Sequence, residues 1–176
     1  MTNKLPTHSA EATLDRSDER WVLRMERTFR HPAERVWAAL TRADELRRWA
    51  PYIPDRDLDV VGDVPLLQSE GGEPAEGPPD PGKVLVSERP RLLVVDWGGH
   101  LLRFEITPAR DGVRLVLTHT FDVRDEAADY ASGWHLCLSA LSARLDGQDI
   151  PPVAGSAARE HGWQDLHDEY ALMLAN

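Results

Sequence analysis

The longest apolar stripe in the chain lies over residues 125–145. Ala127, Ala131, Trp134, Leu138, Leu141 and Leu145 follow one another in alternating steps of four and three, which is the spacing of one face of an α-helix. Asp125, Glu126 and Asp129 at the first turn, Arg144 in the last and Gly147 just beyond agree with the helix dipole and with a left-handed stop. The pattern predicts a central helix roughly 30 Å long at 1.5 Å per residue. Gly133 interrupts it at a propensity cost of about 1 kcal/mol relative to alanine. Either another backbone or a bound molecule comes close beside Trp134, or the glycine lets the helix bend against a curved sheet.

Upstream the period changes to two. Trp21, Leu23, Met25 and Phe29 share one face of a first strand, with Arg24, Glu26 and Thr28 on the other. Pro32 then suits a helix start, and Ala33, Val36, Trp37 and Leu40 give a helical face up to Thr41. Thr41 and Asp44 read as the capping box of a second short helix with Leu46 and Trp49 on its apolar side, ended by Pro51. Leu58, Val60 and Val61 are expected to form one short strand and residues 64–68 another. Residues 69–82, with four glycines and four prolines, are expected to be an irregular loop that gates a cavity or is disordered.

Residues 83–88 and 91–97 are β-rich runs joined around Pro90. Gly98-Gly99 turns the chain, and residues 100–106 alternate with Leu102, Phe104 and Ile106 inward. Asp111-Gly112 is a hairpin signal, and the last strand, 113–121, puts Val113, Leu115, Leu117, His119 and Phe121 on one side. These strands make an antiparallel meander. After the long helix and Pro151-Pro152, Trp163, Leu166, Tyr170 and Met173 fall at helical spacing, so a last helix docks either on the same domain or on a second subunit.

With 176 residues the chain suits one domain. Residues 1–18, polar and without period, are expected to be a disordered tail, residues 19–147 the folded domain, and 148–176 its linker and docking helix. The net charge of -10 argues against nucleic acid and against anionic membrane surfaces. The start of the chain has no apolar core of the kind a signal peptide needs, and nowhere do eighteen apolar residues run together, so a cytoplasmic protein is expected. Cys137, alone, excludes an intrachain disulfide and a cysteine-based zinc cluster.

Residues 34–41, Glu-Arg-Val-Trp-Ala-Ala-Leu-Thr, followed by Leu46 and Trp49, resemble the signature of the family named for the activator of the heat-shock-protein-90 ATPase. Gly82-Lys83-Val84 through Arg89-Pro90-Arg91-Leu92 to Trp97, the run 114–119, and Gly133-Trp134 with Leu145-Asp146-Gly147 are similar to later parts of that family's pattern. The paired glycine usual before the third strand reads Gly62-Asp63 here, and the proline-rich stretch after it has no counterpart. The resemblance implies the α+β helix-grip fold of the START-like superfamily: a curved antiparallel sheet wrapped around a long C-terminal helix, with two short helices after the first strand. Members of that superfamily hold apolar ligands between sheet and helix, and some catalyse cyclisation there.

Inward strand positions and the helix stripe together bring Trp97, His100, Phe104, His119, Tyr130 and Trp134 toward one space, with Trp49 near its entrance if the family arrangement holds. An aromatic wall with a few hydrogen-bonding groups suits a small apolar molecule, and the alternative is that the same rings fill the core. His119 is the most informative, since an imidazole on an apolar face must find a partner or stay neutral. The reading favoured is binding of a small hydrophobic or aromatic ligand without chemistry. A co-chaperone acting through the charged outer sheet face and a cyclase or hydrolase using His100 and His119 stay open, as do a homodimer and a chaperone contact. His135 and Cys137, two apart on a helix, point to different sides and make no thiolate pair. His161, Asp165 and Asp168 lack a further strong ligand, and no phosphate-cradling glycine loop follows a strand, so neither metal nor cofactor is expected.

Overall fold

The computed structural model describes residues 5–176. In chain order the elements are β1 (Thr13–Ser17), β2 (Arg20–Phe29), α1 (Ala33–Thr41), α2 (Ala43–Trp49), β3 (Tyr52–Pro54), β4 (Gly62–Asp63), β5 (Leu66–Glu70) and β6 (Glu73–Pro74). They continue with β7 (Gly82–Glu88), β8 (Leu92–Trp97), β9 (His100–Ala109), β10 (Gly112–Phe121), α3 (Ala127–Leu145) and α4 (Trp163–Met173). Seven strands form one antiparallel sheet in the order β1-β2-β10-β9-β8-β7-β4, and β3, β5 and β6 form a small second one. The register sets Leu117 opposite Met25 on one side and Phe104 on the other, so the inward residues of β2, β9 and β10 fall in rows. Those rows pack on Ala131, Trp134, Leu138 and Leu141 of α3, and burying them is the main stabilising term. This is the α+β helix-grip arrangement.

The expected stripe on α3 is buried throughout, but Leu136, Cys137 and Ala140, off that stripe, are buried as well. Part of this cover is α4, which lies against α3, with the Tyr170 hydroxyl 2.9 Å from His135 Nδ1. The residue after the helix, Gly147, has φ 77°, the left-handed stop its position implied.

Five expectations are corrected. Residues 13–17 are not tail: they pair as β1 along β2, while Leu5, Ala10, Ala12 and Leu14 pack on the core, and residues 1–4 lie outside the described residues. The connecting turn puts Asp18 at φ 50° and Glu19 at φ 68°, the geometry of a type I′ hairpin without the glycine that normally signals it. The capping box is absent. Thr41 Oγ1 donates to Trp37 O at 2.8 Å within α1, while Arg42 is the N-cap of α2 and the Ala43 N–H donates to Asp57 Oδ1 at 2.8 Å. Residues 58–61 form no strand: Leu58 is buried, with its N–H on Thr41 O, while Val60 and Val61 are exposed. Residues 69–82 are built structure. β5 and β6 close a hairpin at Gly71-Gly72, Asp80 and Leu66 exchange both backbone hydrogen bonds, and Gly82 opens β7, where a Cβ would lie 2.3 Å from Val64 O. The turn before β10 is centred on Arg110-Asp111. Gly112 is instead paired with Ala109, in a place where a Cβ would sit 2.0 Å from Phe29 O.

Candidate functional site

Beside the first half of α3 lies a cavity of about 500 Å³. The Gly98-Gly99 turn, with φ of 57° and 93°, closes the β8–β9 hairpin so that Trp97 and His100 face each other as its last pair. Tyr130, Gly133, Trp134 and Cys137, at i, i+3, i+4 and i+7, supply the helix side of the wall. The far side comes from Val153 and Ala154, the short 3₁₀ segment Gly155–His161 and Trp163 at the start of α4. Gln68 and Asp80 close it from the small sheet.

A Cβ at Gly133 would meet nothing within 4 Å. The glycine therefore admits no neighbouring backbone; it leaves open space beside Trp134.

Five of the seven expected residues line the cavity: Trp97, His100, His119, Tyr130 and Trp134. Phe104 and Trp49 do not. Phe104 is fully buried behind Trp134, edge to face with ring centres 6.0 Å apart. Trp49 is fully buried between the short helices, where its indole N–H donates to Ala39 O at 2.9 Å and ties α2 to α1. It is core, because its one polar atom is already satisfied by the preceding helix. Asp80, Asp129 and Trp163 went unrecognised in the sequence. Asp80 lies in a stretch without hydrophobic period, and the helical spacing of Trp163 indicates only that its helix docks on the domain or on a second subunit.

The polar groups are ordered by one donor. Trp134 Nε1–H donates to His119 Nδ1 at 3.0 Å, and an indole has no acceptor, so His119 carries its proton on Nε2. That Nε2 lies 2.9 Å from His100 Nδ1 and donates to it. The two imidazoles and the indole thus form a directed relay that ends on the far nitrogen of His100. Tyr130 packs against both imidazoles, with ring centres 4.6 Å from His119 and 5.4 Å from His100. Burial, helped by neighbouring His100 and by Arg20, pushes His119 down to about 3. Protonating it would also set a second N–H against the indole N–H.

The remaining groups are quiet. Burial pushes the Cys137 thiol up to about 12, far from a reactive thiolate. Burial, together with the hydrogen bond to Glu126 at 2.6 Å, raises the Tyr130 phenol. Among the described residues no group of three His, Cys, Asp or Glu side chains could hold a metal ion, and Asp168 accepts from Gln164 at 2.9 Å. Also among the described residues, no helix is long and apolar enough to cross a membrane.

The model of one protein family, described as Activator of Hsp90 ATPase homolog 1-like protein, matches residues 30–146. The fold is similar to that of CalU16 from Micromonospora echinospora, at 18% identity and TM-score 0.65 over 94% of this chain and 97% of that one. It is also similar to a conserved protein of unknown function from Enterococcus faecalis, at 13% identity and TM-score 0.71 over 94% and 91% of the two chains. A third similar structure is the AHSA1 protein from Silicibacter pomeroyi, at 22% identity and TM-score 0.57 over 71% and 97%. No curated protein matches the sequence.

Proposed function

The chain belongs to the Activator of Hsp90 ATPase homolog 1-like family, and from that premise we propose that it binds a small hydrophobic or aromatic molecule, without transforming it, in the cavity between sheet and long helix. The observation that carries this reading is the open space at Gly133: a central helix gives up about 1 kcal/mol of propensity at a position on its cavity-lining face where a Cβ would meet nothing within 4 Å. The wall is mostly aromatic and aliphatic, as ligand sites are, and its volume of about 500 Å³ lies within the usual range of a few hundred to a thousand.

Catalysis is disfavoured by the state of the candidate groups. His119 already has both ring nitrogens engaged and stays neutral to about pH 3, which makes it a poor base near neutrality. Chaperone contact through the outer sheet face is the reading suggested by the family description. There Arg24 and Arg114 pair with Glu26, and Arg103 with Glu105, so these charges satisfy one another in the free protein.

The test is tryptophan emission during titration with an uncharged apolar probe. The parent is expected to respond saturably, and Gly133→Leu to lose the response while keeping its fold. A parent without response, together with a Gly133→Leu variant destabilised by the roughly 1 to 3 kcal/mol of overpacking, would overturn the reading.

A further inference from the structure

Asp80 has a chemistry that a purely apolar ligand would leave unused. Backbone hydrogen bonds in both directions with Leu66, 2.7 and 3.0 Å, fix its place at the cavity wall. Its Oδ2 accepts from the Trp97 indole N–H at 3.0 Å and from the Gln68 amide at 3.2 Å. Both donors are neutral, and among the described residues Asp80 belongs to no ion pair. A half-buried carboxylate is thus held beside an indole ring with no counter-charge.

The rest of the wall fits the same sign. Asp129 also lines the cavity, with His167 Nε2 at 3.0 Å, and that imidazole is stacked on Trp163 with ring centres 4.9 Å apart. Among the described residues no lysine or arginine lines the cavity. His119, whose Nδ1 is taken by the Trp134 N–H, adds no positive charge. Trp97, Trp163 and Tyr130 line the cavity, aromatic rings attract cations, and beside low-dielectric walls a carboxylate attracts a cation more strongly than in bulk water. The chain's net charge of -10 draws cations in and repels anions.

We propose that the occupant of this cavity is an aromatic or alicyclic amine, bound as its cation with the ammonium group against Asp80 and the ring system along the tryptophans. This rests on the ligand-binding reading above and narrows it to one charge class.

Three probes with one ring system separate the two claims: 2-naphthylmethylamine, 2-naphthalenemethanol and 2-naphthoate, each measured by equilibrium dialysis at pH 7. The amine is expected to bind about tenfold more tightly than the alcohol, the size of a charge-assisted contact, with the naphthoate weakest. Asp80→Asn keeps an acceptor for Trp97, so it should bring amine and alcohol to equal affinity without weakening the alcohol; Asp80→Glu should retain the preference. An amine no tighter than the alcohol overturns this proposal while alcohol binding upholds the ligand site, and that comparison uses the parent alone. An amine preference that survives Asp80→Asn also overturns it. Failure of all three probes to bind overturns both readings.

Discussion

At the scale of single residues, buried polar groups set the terms. An unfolded histidine takes up its proton near pH 6.5, but in the fold His119 resists to about 3 and His135, buried beside Arg27 and His8, to about 4. Between those values and 6.5 the unfolded chain binds more protons, so stability is complete above about 6.5 and is lost as pH falls toward 4. The loss is at most about 1.4 kcal/mol per pH unit for each histidine. Urea unfolding at pH 7, 6 and 5 should show this slope, and His119→Gln should flatten it; equal slopes in the two proteins would contradict the assignment. Tyr52 presents the reverse case. It is fully buried beside Trp97, with a hydroxyl that finds no partner. Tyr52→Phe is therefore expected to leave stability unchanged or raise it by about 1 kcal/mol in thermal melts, whereas a loss of that size would mean the hydroxyl is bonded. His119 could be singled out from sequence because an imidazole on an apolar strand face must find a partner. Asp80 could not, because its role depends on Leu66, Gln68 and Trp97, which only the fold brings to it.

Among the elements, those with strong periodicity were legible and those built by pairing were not. β2, β9, β10, α1 and α3 carry their buried face in the sequence. β1 does not: Thr-Leu-Asp-Arg-Ser is polar at four of five positions, and its turn uses Asp18 and Glu19 in a left-handed conformation that side chains disfavour. Replacing Asp18-Glu19 with Asn-Gly should relieve that strain and raise stability by about 1 kcal/mol; a lower melting temperature would contradict the turn. The stretch 69–82 was opaque for another reason. Glycine and proline mark the absence of regular pattern, and they occur equally in loose loops and in tight hairpins that dock. Here Gly71 N–H bonds Ala154 O, and Glu70 accepts from Ser156, so the hairpin is sewn to the segment before α4. Exchanging residues 71–79 for a short Gly-Ser turn is expected to lower the melting temperature and, by loosening Asp80, to reduce the preference for 2-naphthylmethylamine over 2-naphthalenemethanol. An unchanged melt would show that the hairpin is dispensable.

For the whole molecule, hydrophobic pattern reports which face turns inward but not whether that face meets solid core or space. Phe104 and Trp134 read alike in the sequence, yet one is packed on all sides and the other borders a cavity of about 500 Å³. What distinguishes them is Gly133, together with the segment after α3 that stands off from the helix there. Part of the site was therefore readable, as the aromatic helix and strand positions, while Asp80 and most of the far wall came from connections without period. The most direct test of an occupiable cavity uses the six tryptophans as reporters. In a ¹⁵N-labelled sample titrated with 2-naphthalenemethanol, the indole N–H signals of Trp97, Trp134 and Trp163 should shift saturably, while those of Trp21, Trp37 and Trp49 stay in place. Shifts confined to the second group, or no shift at all, would contradict a ligand site between the sheet and the long helix.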